Sequence, residues 1–398
     1  MLGAIYNGLS GLNAFSRGLQ TISNNVANLN TLGYKATSAT FSDVFTYGGG
    51  GLTFFSNTND AKVGNGVRFG EARIDFKQGD LRQSSGDLDL AIQGSGFLVL
   101  INNGKTFYSR TGQFVVDTDG YISLQGDKDS RLAVLDSSGK AVALNIDAKR
   151  TSAPKATTTI KFADNLSASA TTATIADLAV YDSLGGKQAW QVKFDKATGG
   201  LNEWTVTVTD QTGATVGTST LKFIGSTVDP STQKLTINAT PAGADPLAVV
   251  LDFSSGVTSF SAGTTSTLRS ASVDGNGVGS LATVTLNTEG KIVLTYSNTK
   301  TETLGSVALA DFRDPQQLRR VSGGMFVSDG NGPTRIVGSE TEGMGRLLSK
   351  QLEASNTDLS QQFGDLILIQ RGFQASSQVV STANDMIQEL FGIRGHGG

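Results

Sequence analysis

The chain has 398 residues, 32 Lys and Arg against 35 Asp and Glu for a net charge of −3, one histidine and no cysteine. That balance gives no electrostatic case for nucleic acid or an anionic membrane, and without cysteine there are no disulfides and no thiolate metal sites. Only 17% of residues are charged and 49 are glycine, against usual levels of about 25% charged and about 7% glycine. Such a composition suits a Gly-rich β protein or a surface that packs against copies of itself.

Residues 3–29 read as an amphipathic helix of about 40 Å. Ile5, Leu12, Leu19 and Val26 recur every seven residues, and Gly8, Phe15, Ile22 and Leu29 interleave at the spacing of a coiled-coil seam. Asn24, Asn25, Asn28 and Asn30, followed by Gly33, end the helix. No basic residue precedes Arg17 and the apolar residues are periodic rather than continuous, so this stretch is not read as a Sec signal peptide. Residues 31–70, with Gly48 to Gly51, are expected to be an irregular linker.

From residue 71 the period becomes two. Asp87-Leu88-Asp89-Leu90-Ala91-Ile92 alternates, Gly94-Ser95-Gly96 breaks it, and Phe97 to Ile101 resumes. Asp119-Gly120, Ser138-Gly139 and Glu289-Gly290 each sit between β-type runs and mark hairpins. Residues 150–175, rich in Thr, Ala and Ser, are expected to be a connection before a second β region that carries Trp190 and Trp204. Helical period returns after residue 350. There Leu352, Leu359, Leu366, Phe373, Val380 and Ile387 hold a seven-residue spacing, with Asn356, Phe363, Gln370, Ser377, Asn384 and Phe391 between them. Such a stripe belongs either to an assembly helix or to an intramolecular helical hairpin, and the spacing does not choose.

The expected fold is mainly β with α-helical termini, in a nested multi-domain architecture. Residues 1–30 with 355–398 form a terminal helical coiled-coil domain, and 31–70 form the linker. Residues 71–145 with 284–354 form a discontinuous inner β domain, into which 146–283 insert as an outer β domain. Expected helical-assembly contacts are Ile5, Leu12, Phe15, Leu19, Ile22 and Val26 at one end, and Leu352, Leu359, Phe363, Leu366, Phe373, Val380 and Ile387 at the other.

Patterns that would carry chemistry fall short. Gly104-Lys105-Thr106 ends a phosphate loop, but Val99 stands where Gly is required. Gly64-Asn65-Gly66 meets Phe69, and Gly275-Asn276-Gly277 meets Ser280, where a dinucleotide fingerprint needs its third glycine. Asp117-Thr118-Asp119-Gly120 lacks the remaining ligands of a calcium loop and reads as a hairpin turn. Asp87 and Asp89 share one face of a strand and read as its solvated side. His396 in the Gly-rich tail leaves no Ser-His-Asp arrangement. No catalytic, cofactor-binding or metal-ligating residue is expected, and the chain is not read as an enzyme.

Specific residues then carry a resemblance. Ser23-Asn24-Asn25-Val26-Ala27-Asn28 with Thr31-Leu32-Gly33-Tyr34-Lys35 resembles the N-terminal signature of bacterial flagellar rod and hook proteins. Asp87 to Phe97 resembles a second signature of that family, and Tyr108-Ser109-Arg110-Thr111-Gly112 with Asp119-Gly120-Tyr121 a third. Leu352 to Ser360, with Ser355, Asn356 and Asp358, and Gln370-Arg371-Gly372-Phe373-Gln374-Ala375 resemble the C-terminal one. The long middle insertion, opening at Val180-Tyr181-Asp182-Ser183-Leu184-Gly185, is similar to that of hook members. Thr357, Phe373, Ser376-Ser377 and Thr299 depart from the usual pattern. The resemblance implies a subunit of a hollow, curved helical tube outside the cell, a universal joint that passes torque from rod to filament. It implies export through the flagellar type III apparatus without a cleaved Sec signal. It also implies contacts with copies of itself, the rod, a hook cap, a hook-length control protein and hook–filament junction proteins, but none with nucleic acid and no membrane insertion. The alternatives are a distal rod subunit of the same family and a secreted β-rich adhesin or binding protein.

Overall fold

The computed structural model describes residues 2–45, 64–199, 202–330, 332–341 and 343–395. Gly48 to Gly51 and His396 lie outside the described residues. The chain is mainly β, with a long helix at each end: α1, Leu2–Ala27, and α2, Leu359–Gly395. It divides into two units. The first holds Met1–Asp147, Val284–Val293 and Thr303–Gly398; the second holds Ala148–Thr283 and Leu294–Glu302.

In the first unit α1 and α2 pack antiparallel, Gly8 beside Val380, Gly11 beside Ser376, Gly18 beside Ile369 and Asn25 beside Gln362. Small residues set this seam. A Cβ on Gly11 would lie 2.5 Å from Ser376 Oγ, and one on Gly372 would lie 2.6 Å from the Phe15 ring. The backbones therefore approach more closely than a Leu-zipper seam permits. Gly364, by contrast, has open space around its α-carbon. Gly364→Ala should stabilise α2 by up to about 1 kcal/mol, the usual helix-propensity gain, whereas Gly372→Ala should destabilise the pair. Thermal melts followed by circular dichroism would separate the two.

The linker expectation for 31–70 needs correction in the described part. Thr37–Ser38 pairs with Arg73–Ile74, and Phe41–Phe45 pairs antiparallel with Gly64–Phe69. This small ribbon lies along α1, with Phe41 5.5 Å from Phe15 and 6.0 Å from Phe69 between ring centroids. The polar residues around Phe41 and Phe69 conceal these apolar anchors from a composition-based reading.

The inner β region is one large, predominantly antiparallel sheet. Phe97–Asn102 pairs with Lys105–Ser109 and Asp127–Leu135, and Thr111–Val116 pairs with Ile122–Leu124 and Asp89–Gln93. The Asp119-Gly120 hairpin forms because Asp117 Oδ1 accepts the Asp119 and Tyr121 amides at 2.9 and 2.8 Å, and Gly120 takes φ +80°. Phe97, Phe312 and Phe326 form the aromatic centre, with Tyr108 4.8 Å from Phe312 in an edge contact. The reading of Asp87 and Asp89 as a solvated pair fails for one of them. Asp89 is buried and accepts the Ser84 hydroxyl, because its strand is flanked on both sides by Thr111–Val116 and Arg346–Ser349. Asp87 stays at the surface, 2.9 Å from Lys350 Nζ.

The second unit holds a ten-stranded sheet with Trp190, Trp204, Phe162, Phe194 and Phe253 in its core. The supposed connection at 150–175 is also corrected. Thr159–Asn165 is an interior strand, parallel to Leu247–Asp252 and antiparallel to Arg269–Val273. Ile160 and Phe162 point into the core, with Phe162 stacked on Phe253 at 4.6 Å. Two buried apolar side chains among threonines suffice for a strand whose other face is polar.

Asp274 ties this strand down. Burial pushes its carboxyl up, but the Thr158 hydroxyl, the Thr159 and Thr158 amides and Lys155 outweigh that and hold it at about 2. A lowered carboxyl contributes stability that is complete above its ordinary 3.8 and is lost as pH falls through about 2. Asp274→Asn should cost the second unit about 1–2 kcal/mol at neutral pH, a figure reduced for partial solvent screening. It should also flatten the stability slope between those pH values, as read by urea unfolding at several pH values.

Candidate assembly site at the helix junction

Both helices end against the inner sheet, and the signature residues meet there. Asn24 and Asn28 stop α1. The Asn28 side chain donates to Asn24 O at 2.8 Å, and Thr31 Oγ1 donates to Asn28 Oδ1 at 3.0 Å. Gly33 then turns the chain at φ +65°, and its amide donates to Glu353 O at 2.8 Å. A Cβ there would lie 2.8 Å from Thr111 Cγ2, so only glycine meets both demands.

Asn25 is buried with a fully used carboxamide. It donates to Thr37 O and Gln362 Oε1, both at 2.8 Å, and accepts from the Thr37 amide at 2.9 Å and the Tyr34 hydroxyl at 3.1 Å. Two donors and two lone pairs are all an asparagine has. Asn356 does the same work from the other chain end. It accepts from the Ala36 amide at 2.7 Å and donates to Asp75 O and Lys77 O at 2.7 and 3.0 Å. Ser355 orders the turn through the Thr357 amide, and Asp358 caps α2 by accepting from the Ser360 and Gln361 amides.

Beneath these lies a buried charge cluster. Lys35 Nζ is 2.5 Å from Glu353 Oε1, and Arg110 Nε is 3.3 Å from Glu353 Oε2; all three side chains are almost wholly removed from solvent. The Gly79 amide also donates to Glu353 Oε1, at 2.8 Å. Two cations face one anion, and backbone carbonyls supply the rest. Arg110 donates to Gly96 O, Gly94 O and Ile92 O, and Lys35 to Lys77 O. Burial pushes the Lys35 amine down, and the attraction of Glu353 offsets only part of that. Arg320 closes the top, donating to Lys35 O while its guanidinium sits 4.3 Å over the Tyr34 ring.

Asn24, Asn25, Asn28, Thr31, Gly33, Tyr34, Lys35, Ser355, Asn356 and Asp358 are thus gathered at one junction. Gln370 and Arg371 are not; they are exposed on α2. Ala27 is exposed at the end of α1, and nothing in the structure explains its place in the signature. Sequence reasoning missed Glu353, Arg110, Thr37, Gln362 and Arg320 as working residues. Arg110 carried a signal, a charge two residues from Tyr108 and four from Phe114 on the same phase of a β-type run; Glu353, out of phase with Leu352 and Ala354, carried none.

The expected assembly contacts divide. Ile22 is buried, and Ile5, Leu12, Phe15, Val26, Leu366, Val380 and Ile387 are half-buried. Leu352 is not part of the helical stripe. It lies in the strand Gln351–Glu353, paired with Leu81–Gln83, because the Ser355-to-Asp358 turn starts the helix only at Leu359. Leu19, Leu359, Phe363 and Phe373 are exposed, from 37% for Leu19 and Leu359 to 50% for Phe363. Ile367, Leu368, Val379, Met386 and Leu390 of α2 are exposed as well.

Comparison with known proteins gives the same order of parts. Residues 5–35 match the family described as flagella basal body rod protein. Residues 143–277 match the flagellar basal body protein FlaE D2 domain, and 348–393 the flagellar basal body rod FlgEFG protein C-terminal family. The chain is 29% identical to the flagellar hook protein FlgE of Brucella suis, covering 99% of each. It is 28% identical to the FlgE of Escherichia coli K12, over 98% of this chain and 100% of that one. The hook protein of Borreliella burgdorferi is 27% identical over 98% and 99%. Among solved structures, Helicobacter pylori flagellar hook protein FlgE2 aligns with a TM-score of 0.50 at 14% identity, over 69% of this chain and all of that one, a likeness of fold. The chain is thus similar over nearly its whole length to flagellar hook proteins, and its two ends and its middle match families of flagellar rod and hook proteins.

Proposed function

We propose that this chain is the structural subunit of a flagellar hook, self-assembling through its terminal helices into a hollow curved tube that transmits torque from rod to filament while it bends. The observation that carries the reading is full-length similarity to hook proteins, joined to a helix pair that leaves many large apolar side chains of α2 exposed. Large apolar side chains exposed in such number call for neighbours; no helix among the described residues is long and apolar enough to cross a bilayer. The junction cluster would hold the helices at a fixed attitude to the inner sheet. Axial force carried by the helices then passes into the β body rather than into a hinge.

The family reading supports a set of further partners: the rod below, a hook cap during growth, a hook-length control protein and the hook–filament junction proteins above. It supports passage through the flagellar type III export apparatus without a cleaved leader, and a structural rather than catalytic role. The nested division into a terminal helical domain, an inner β domain and an outer β domain at 146–283 is part of the same proposal.

Electron microscopy of purified protein under polymerising conditions tests it. Curved tubes are expected. Straight tubes would favour a distal rod subunit, and a chain that stays monomeric at all concentrations would defeat the reading.

A further inference from the structure

Two concave patches flank α1, and they are opposite in character. One, of about 370 Å³, is lined by Phe15, Phe41 and Leu368 together with Asp75, Asp358 and Asp365, and by no Lys or Arg. The other, of about 430 Å³, is lined by Tyr6, Leu9, Val67 and Phe69 together with Arg17 and Arg68, and by no Asp or Glu. Phe41 and Leu368 are exposed at the first, and Tyr6 and Leu9 at the second. Asp365 and Arg17 have no ion pair among the described residues.

The placement of the patches on α1 matters as much as their charge. At about 100° per residue, Phe15 and Ile22 of the acidic patch lie roughly opposite Tyr6, Leu9, Asn13 and Arg17 of the basic one. The basic patch is also displaced by about two turns toward the N-terminus. Neither patch is complementary to itself, so a two-fold contact of either patch with its own copy would set like charges together. Patch-to-patch contact between copies is heterologous, and a heterologous contact that does not close on itself continues into a filament.

Resting on the self-assembly reading above, we propose that the basic patch of one copy docks into the acidic patch of the next, and that this contact gives the polymer its direction. Tyr6 and Leu9 would cover Phe41 and Leu368, while Arg17 approaches Asp365. The apolar part supplies adhesion and the charges supply register, since like charges brought together in such a contact cost several kcal/mol.

The test uses full-length Arg17→Glu and Asp365→Lys. Arg17 is exposed and Asp365 borders the open acidic patch, so circular dichroism of either monomer should match the parent. Alone, each variant sets like charges together and should raise the concentration needed for polymer at least about tenfold. Mixed in equal amounts the two should polymerise, because the reversed patch of each now fits the reversed patch of the other; the double variant should polymerise as well. Either single variant polymerising as the parent does, or failure of both the mixture and the double variant to recover, overturns the pairing. Those outcomes are read with parent protein that does polymerise. Parent protein that forms no polymer overturns the self-assembly reading itself, and this proposal with it.

Discussion

Glu353→Gln should be among the most damaging single substitutions in the first unit. It preserves shape but removes the one negative charge that Lys35 and Arg110 share, and both cations are buried. Breaking a buried pair by deleting one partner costs about 3–5 kcal/mol, because the remaining charge has no water to return to. Against a domain stability of about 5–15 kcal/mol this is a large fraction. Urea unfolding should show the transition of the first unit moved to lower denaturant while that of the second stays in place. Lys35→Met should be much milder, at about 1–2 kcal/mol or less, since it leaves one cation facing one anion and removes an amine whose burial already disfavours its charge. The sign with pH follows. Because the folded amine lies below its ordinary 10.5, the charged form is held less well in the folded chain than in the unfolded one. The parent should therefore gain stability relative to Lys35→Met as pH rises toward that value, and lose that gain as pH falls through the folded amine's own value. Equal losses from Glu353→Gln and Lys35→Met would show that the cluster is not limited by its single anion.

The second large effect belongs to the uncovered face of α2. Phe373→Asp and Ile22→Asp both place a carboxylate on a terminal helix, yet they should fail differently. Ile22 is 4% exposed, inside the α1–α2 seam, and a carboxylate there is buried without a partner. That variant should lose the helix pair in the monomer. Phe373 is 43% exposed. Phe373→Asp should leave the monomer's melting profile within about 0.5 kcal/mol of the parent. It should nonetheless abolish polymer and motility, because each subunit contact forfeits roughly 1.5–3 kcal/mol of aromatic burial and acquires a desolvated charge. Sedimentation of polymer beside a monomer melt distinguishes the two variants. Normal polymer from Phe373→Asp would show that this face of α2 meets solvent rather than a neighbour.

Much of the molecule could be read along the chain. Helical ends follow from apolar residues recurring at helical spacing, and the β body from period-two runs punctuated by turns. The Asp119-Gly120 hairpin follows from an aspartate and a glycine whose local geometry has few alternatives. These features depend on residues within a few positions of each other, so the sequence by itself determined them. The signatures that gather at the helix junction were equally visible as strings, although their purpose was not.

What only the tertiary structure decided involves partners far away in sequence. A seven-residue spacing defines a stripe but not which stripe meets the partner. Gly8, Gly11, Gly18 and Gly372 sit in the seam because the backbones can touch there, while Leu19 and Phe373 of the same stripes keep 37% and 43% of their surface exposed. Leu352 keeps the spacing yet lies in a strand, because a helix starts where its first amides are capped, at Asp358. Asp89 is buried because a second strand arrives from residues 346–349. The charge cluster is the clearest case. Lys35 and Arg110 find their counter-charge 318 and 243 residues away, and no local pattern reports whether a charge will meet its partner or water. Desolvation is a property of the assembled fold, and so the residues that lock the helices to the sheet became legible only once the two chain ends were brought together.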